Sequence, residues 1–314
     1  MEKTKRKIPL LRIALAGIVL ILVIFCVVCT VIAYNVLSSM SDVRVEKNQP
    51  FSEPYRSMLE EIQVTSGDGV PIYAYILPRE ASAGNVLILH GMHGMDASSL
   101  FDYAVWIYES GYTPVCIDMR AHGKSGGERL SFGYHEVSDV GAVIEWLQKQ
   151  ERFSESPVIL YGLSMGGSTA INTAAASQRV DGVIAVSAFS SMQDQIADYM
   201  RKDGAPETFV SVFRPFVNLA LRIKFGVSPV KDSPAQAIRH IGDRPLLIVH
   251  GDGDAQTHVS QAEKLYQNSA SSRGELWIVP GADHLIVTDL PEASGELYRQ
   301  KIIGFLNEHF PVRD

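Results

Sequence analysis

The run Pro157-Val158-Ile159-Leu160-Tyr161-Gly162-Leu163-Ser164-Met165-Gly166-Gly167 narrows the choice of folds more than any other part of the chain. Its first five residues read as a short strand buried on both faces. Met165 to Gln178, with Ala170, Ile171, Ala174, Ala175 and Ala176, reads as a helix. A strand that turns into a helix within so few residues needs a sharp, strained turn, and glycines two positions before and after the serine remove the side chains that would collide there. Gly162 and Gly166 hold those positions around Ser164. By composition alone, Gly-x-Ser-x-Gly should occur about once in ten chains of this length. The strand and helix around it are what give the pattern meaning. Two readings stand: Ser164 as a nucleophile held out at the turn, or Ser164 as an N-cap flanked by glycines.

The same alternation continues along the chain. Strand candidates are Glu61–Thr65, Ile72–Leu77, Val86–Leu89, Thr113–Ile117, Pro157–Tyr161, Gly182–Val186, Pro245–Val249 and Glu275–Val279. Helix candidates are Ala97–Glu109, Tyr134–Gln150, Met165–Gln178, Val259–Asn268 and Glu292–His309. Strands alternating with helices predict an α/β protein with a mostly parallel eight-stranded sheet covered on both faces. Reactive groups then belong at the carboxyl ends of the strands. One long interruption, Ser190 to Arg244, is expected to form a small helical cap. Within it Phe209, Val212, Phe213, Phe216, Val217 and Ala220 recur at helical spacing. They fit a helix packed on the core, or a cap face that lines an acyl pocket or touches a bilayer.

The first forty residues stand apart. No charge occurs from Ile13 to Leu37, and 25 residues at about 1.5 Å each reach ~37 Å, more than the ~30 Å of a bilayer's hydrocarbon. Lys3, Lys5, Arg6, Lys7 and Arg12 precede this run against the single Glu2, so the N-terminus is expected on the cytoplasmic side. The expected organisation is a basic N-terminus over 1–12, a transmembrane signal anchor over 13–37, a tether over 38–56 and a catalytic domain over 57–314. That domain would lie outside a cell membrane crossed once. A cleaved signal peptide is the alternative, with Val31-Ile32-Ala33 as a loose cleavage site, although the apolar run exceeds the usual length. Removing the N-terminal +4 from the chain's −7 leaves −11 after Arg12, which argues against nucleic acid as a partner. Cys116 is the single cysteine beyond the apolar run, so the rest of the chain has no disulfide within itself.

A serine hydroxyl needs a base, and the base needs an orienting group. His284, in Trp277-Ile-Val-Pro-Gly-Ala-Asp-His284, lies five residues past a strand on a glycine loop and is the candidate base. His250 comes too early, against its strand's end, and His258 falls in the first turn of a helix. Asp252 and Asp254 compete for the acid. Asp254 lies further out on a loosened loop, Asp252 is placed to brace the turn, and Asp283 reads as a solvated loop residue. Acyl transfer also needs donors for the oxyanion. The loop after Val86–Leu89 offers the Met92 N–H, and the first turn after Ser164 offers the Met165 N–H. His90 and His93 have no nearby third ligand and read as structural.

Taken together, Gly-Leu-Ser164-Met-Gly-Gly, the His90-Gly91 loop, Asp118-Met-Arg-Ala-His-Gly-Lys-Ser-Gly-Gly127, His250-Gly-Asp-Gly-Asp254 and Gly281-Ala-Asp-His284 resemble an α/β-hydrolase, with its chain order of serine, acid and histidine. Within that superfamily the chain is similar, over Leu59 to Phe310, to the serine-hydrolase branch of serine aminopeptidase-like proteins, monoacylglycerol-lipase-like esterases and membrane-associated acyl-protein thioesterases. That branch commonly has glycine where Ala121 stands and a Val-Pro pair after the acid, where this chain has Ala255-Gln-Thr-His-Val-Ser260. In the same branch the loop carrying Asp118, Arg120 and His122 is mainly structural. The resemblance implies an esterase or lipase using Ser164, Asp254 and His284 with no metal or organic cofactor. Alternatives are a peptidase or thioesterase, for which Glu207 or Asp198 is a candidate amine anchor, and a non-catalytic binding protein that keeps the fold. Expected partners are a small acyl ester, lipid or peptide, and the membrane.

Overall fold

The computed structural model describes residues 10–92, 94–284 and 292–312. Eight strands form one sheet: β1 (Glu60–Thr65), β2 (Pro71–Ile76), β3 (Asn85–Leu89), β4 (Thr113–Asp118), β5 (Val158–Leu163), β6 (Gly182–Val186), β7 (Leu246–Gly251) and β8 (Gly274–Val279), in the order β1-β2-β4-β3-β5-β6-β7-β8. β1 and β2 run antiparallel at one edge, and the pairs from β4 through β8 are parallel. Each expected strand is present within two residues of its expected bounds. This is the α/β-hydrolase architecture, a mostly parallel sheet with helices on both faces.

The helices are α1 (Leu10–Ser41), α2 (Phe101–Glu109), α3 (Glu136–Gln148), α4 (Glu151–Ser154), α5 (Met165–Ala176), α6 (Met192–Lys202), α7 (Glu207–Phe225), α8 (Pro234–Ala237), α9 (Ser260–Asn268) and α10 (Glu292–His309). Parallel strands buried on both faces read as unbroken apolar runs, and β3, β4, β5, β6 and β7 are buried along their whole length. One face is covered by α2 and α10, the other by α3, α5, α9 and the α6–α7 insertion. The helix expected over 97–109 divides into a 3₁₀ turn, Ala97–Leu100, and α2. Asp96 caps that turn, and its side chain also accepts from two N–H groups of an earlier segment, so the entrance is shaped by a remote strand of chain as well as by local propensity.

That earlier segment departs from the expectation of a tether over 38–56. α1 continues to Ser41, past the expected end at Leu37, and buries Cys29, Ala33 and Leu37 in the same core cluster that lies under α3 and α5. Beyond it the chain runs as a bound strap. Val45 pairs with His122 in a parallel bridge, Arg44 donates to the Gly123 and Ser125 carbonyls, and the Lys47 and Asn48 N–H groups donate to Asp96 Oδ2 at 2.6 and 3.0 Å. Phe51 packs on Phe101 with ring centroids 4.3 Å apart. Composition suggested a solvated linker because the contacts that hold the strap are mainly backbone hydrogen bonds, which any sequence can make. The basic residues Lys3, Lys5, Arg6 and Lys7 lie outside the described residues.

Candidate active site

β5 ends at Leu163 and α5 begins at Met165, which leaves Ser164 alone at the turn with φ 55° and ψ −117°. A Cβ at position 162 would sit 2.1 Å from the Gly166 carbonyl oxygen, and one at position 166 would sit 2.2 Å from the Leu89 carbonyl oxygen. Backbone cannot yield such distances, so both glycines are required by close approach. The Ser164 N–H donates to the Val186 carbonyl at 2.7 Å, which ties the turn to β6. Ser164 does occupy the N-cap position of α5, but its side chain makes no capping hydrogen bond. Its Oγ instead lies 2.8 Å from His284 Nε2.

The line of contacts continues. His284 Nδ1 is 2.7 Å from Asp254 Oδ2, while Asp254 Oδ1 accepts from the Gln256 and Thr257 N–H groups, both at 2.8 Å. With the Nδ1–H donating to the carboxylate, Nε2 is bare and can accept the serine proton. Ser164, His284 and Asp254 are all buried, at 8%, 8% and 4% exposed. Burial alone would raise the Asp254 carboxyl. The His250 and His284 contacts and the Thr257 N–H outweigh it and hold the group well below the usual carboxylate range.

Of the competing residues, Asp252 accepts from the Gly281 N–H at 2.6 Å and braces the turn, and Asp283 accepts from the backbone N–H of His284 at 2.7 Å. His258 is exposed and bonded to Ser260. Met165 opens α5 and is fully buried, and Met92 follows β3 on a loop where a Cβ at Gly91 would stand 3.5 Å from the Ser164 Cβ. Both residues therefore belong to the two turns that meet beside Ser164. His90 is fully buried; its Nε2 accepts from the Met119 N–H at 3.1 Å and its Nδ1–H donates to the Gly91 carbonyl at 2.7 Å. Burial pushes its imidazole down to about 3, so the ring is neutral. His93 lies outside the described residues.

The Asp118 loop is a structural knot. Asp118 accepts from the Ala97 and Lys124 N–H groups, and Arg120 bridges Asp139 and Asp68. Ala121 holds φ 62°, the left-handed region in which glycine is most at ease. Asp198 and Glu207, weighed as amine anchors, both bind Arg201, and Asp198 also accepts from the His258 N–H and Gln261.

Three contributions escaped the sequence reading. His250, buried in β7, stands 2.7 Å from the Thr257 carbonyl and 3.3 Å from Asp254 Oδ2, so its Nε2–H braces the acid loop from beneath. Ser187, at the end of β6, donates to the His284 carbonyl at 2.8 Å and fixes the histidine's backbone. Gln195 of α6 accepts from the Thr257 hydroxyl and donates to the Gln256 carbonyl, which fastens the cap insertion to the acid loop. A serine directly after a strand was the one local signal available; Gln195 meets residues 61 and 62 positions away, and His250, though only four and seven positions from its partners, reaches them only once the acid loop folds back on β7.

Comparison with known proteins adds the family. Residues 43–219, more than half of the chain, match the family model of the X-Pro dipeptidyl-peptidase (S15 family). The uncharacterized protein YqkD of Bacillus subtilis is 26% identical over 223 residues, covering 70% of this chain and 71% of its own. The uncharacterized protein YfhR of Escherichia coli K12 is 22% identical over 255 residues, covering 79% and 80%. Among solved structures, the Pyrococcus furiosus esterase Pf2001 superposes with TM-score 0.68 at 21% identity, covering 86% of this chain and 98% of that one. A soluble variant of the Saccharomyces cerevisiae monoglyceride lipase superposes with TM-score 0.61 at 19% identity, covering 83% and 99%. At these identities the structural likenesses establish the fold.

Proposed function

The chain belongs to the X-Pro dipeptidyl-peptidase (S15) family, and from that premise we propose that this serine hydrolase cleaves carboxylic esters through an acyl-enzyme on Ser164. The observation that carries the reading is the unbroken line from Ser164 Oγ through both ring nitrogens of His284 to Asp254. His284 Nε2 takes the hydroxyl proton as Oγ attacks the carbonyl carbon, and the carbonyl π pair moves to the oxygen, facing the Met92 and Met165 N–H groups. Asp254 stays ionised, holds the tautomer and stabilises the imidazolium. The tetrahedral intermediate collapses, the C–O bond to the leaving group breaks, and the alcohol departs with the proton from Nε2. Water, deprotonated by the same nitrogen, attacks the acyl-serine and restores the enzyme.

A peptidase is the second reading, favoured by the family's description. Against it stands the engagement of Asp198 and Glu207 by Arg201, which leaves neither carboxylate of that pair to hold a substrate's ammonium. The proposal includes a membrane anchor in α1, whose Arg12–Ser41 stretch is long and apolar enough to span, with the catalytic domain on the extracytoplasmic side.

Fluorophosphonate labelling of the full chain, with mass mapping of the modified residue and Ser164→Ala as control, tests the mechanism. Labelling confined to Ser164 is expected. A folded protein that takes no label, or takes it elsewhere, would overturn the nucleophile assignment. Turnover of p-nitrophenyl acetate set beside that of aminoacyl and Gly-Pro p-nitroanilides separates the two readings.

A further inference from the structure

α7 is apolar on two faces. Val210, Phe213, Val217, Ala220 and Leu221 are buried against the core, while Phe209, Val212, Leu219 and Ile223 are 53%, 53%, 46% and 61% exposed. With Phe216 these form a second stripe at positions 209, 212, 216, 219 and 223. A helix apolar on both sides belongs in a protein interior or in lipid. Here the second stripe meets α1. Phe216 packs edge-on against Phe25 at 6.0 Å, and Lys224 donates to Ser38 and Asp42, each at 2.9 Å, so the two helices run in the same direction. Between them Cys26, Val27, Val31, Pro215, Phe216 and Leu219 line an apolar groove of about 410 Å³.

The contact fixes a depth. Phe25 lies thirteen residues past Arg12, or ~20 Å along a helix, and the hydrocarbon is ~30 Å thick. Even if the helix is raised until Arg12 sits at the cytoplasmic boundary, Phe25 remains ~10 Å below the outer one. Phe216 and the groove share that depth, and the α7 N-terminal end, with Phe209 and Val212, points further inward. A domain swinging freely on a tether would not have this geometry.

Resting on the reading of α1 as a membrane anchor, we infer that the outer stripe of α7 is embedded beside α1 in the bilayer's hydrocarbon and that a lipid acyl chain occupies the groove between them. The occupant is hydrocarbon, because every side chain lining the groove is apolar apart from the thiol of Cys26 and the Thr30 hydroxyl, which is spent on the Cys26 carbonyl. The cap insertion that presents this stripe is also the one whose Gln195 grips the acid loop, so the bilayer contact and the reaction centre share one element. Substrates would then be acyl esters drawn from the bilayer rather than from solution.

The full chain carrying Cys26→Ser is reconstituted in palmitoyl-oleoyl phosphatidylcholine vesicles with tail-nitroxide phosphatidylcholine as quencher. Bimane is attached at Val19→Cys on α1, Val212→Cys on α7 or Glu155→Cys on the far surface. Quenching at positions 19 and 212 but not at 155 is the expected result. Quenching at 19 alone overturns the embedded stripe and leaves the anchor standing. Quenching at neither overturns both. A kinetic arm reads the same surface: Leu219→Glu should raise KM several-fold for p-nitrophenyl palmitate presented in vesicles and leave p-nitrophenyl acetate turnover unchanged. Equal effects on both esters would assign Leu219 to the fold.

Discussion

The turn at Ser164 and the α1–α7 contact are both places where two elements meet closely, yet they are specified in opposite ways. At the turn the fit is steric and local: backbone oxygens stand where a Cβ at position 162 or 166 would be, and the five consecutive positions from Gly162 to Gly166 explain the geometry. Between α1 and α7 the partners lie about 190 positions apart, and any apolar residue of similar volume would serve at most of them. Tolerance to substitution should therefore be low at the first and high at the second, while sensitivity to solvent and lipid should run the other way.

The sharpest break is chemical. Ser164→Ala should lower kcat by about 10³- to 10⁶-fold and leave the thermal melt unchanged, since the side chain caps nothing in α5. A large fall in melting temperature would mean that the hydroxyl is structural after all. Next comes the acid. Asp254→Asn should cost ~10⁴-fold through the wrong histidine tautomer, whereas Asp252→Asn, which alters a turn brace, should cost little. Equal losses would move the acid. Because Asp254 is held well below the usual carboxylate range, it stays ionised wherever the enzyme is folded. The acid limb of kcat/KM should accordingly fit a single proton.

Stability contrasts follow. Gly166→Ala forces backbone apart and should destabilise by about 3 kcal/mol or more, if the variant folds at all, whereas Leu219→Ala at the groove should change urea stability in detergent by under about 1 kcal/mol. Parity would show that the elbow relaxes more than its contacts allow. Truncation probes the other side of the comparison. Removing residues 1–24 leaves Cys29, Ala33 and Leu37 in the core, but removing 1–40 uncovers the surface they bury, and a fully buried leucine alone is worth ~2 kcal/mol. The shorter deletion should give the more stable and less aggregation-prone protein.

These contrasts also explain what the sequence disclosed. The eight strands, the order of serine, acid and histidine, and the elbow glycines were legible because each depends on a few neighbouring residues: an apolar run, a Gly-x-Ser-x-Gly, a histidine five residues past a strand. The strap was not legible, since Lys47 and Asn48 meet Asp96 through backbone N–H groups that carry no residue signature. Nor were the braces His250 and Gln195, whose roles exist only once β7, α6 and the acid loop are folded together. The α7 residues announced a helix, and their spacing was compatible with either a core or a lipid face. The structure shows both faces to be apolar, a distinction that needed α1 in place.

The last contrast concerns pH and separates the two regions once more, because buried titratable groups crowd the sheet's carboxyl edge. His90 has its imidazole pushed down to about 3 by burial, against an ordinary value of 6.5. Between those values the unfolded chain binds a proton that the folded one refuses, so the stability contributed by neutral His90 is present above pH 6.5 and is lost as pH falls toward 3. The slope from one such group is at most ~1.4 kcal/mol per pH unit. Asp118, at the end of the adjacent strand and raised to about 6 chiefly by burial, acts in the opposite sense: it weakens the fold as pH rises from 3.8 to 6 and so masks part of the His90 effect in the wild type. The difference in stability between the wild type and His90→Asn removes the Asp118 contribution, because both proteins carry it. That difference, from urea melts at pH 4.5 and 7, should shift in favour of the variant as pH falls. A pH-independent difference would mean that His90 takes up its proton in the folded protein as readily as in the unfolded chain.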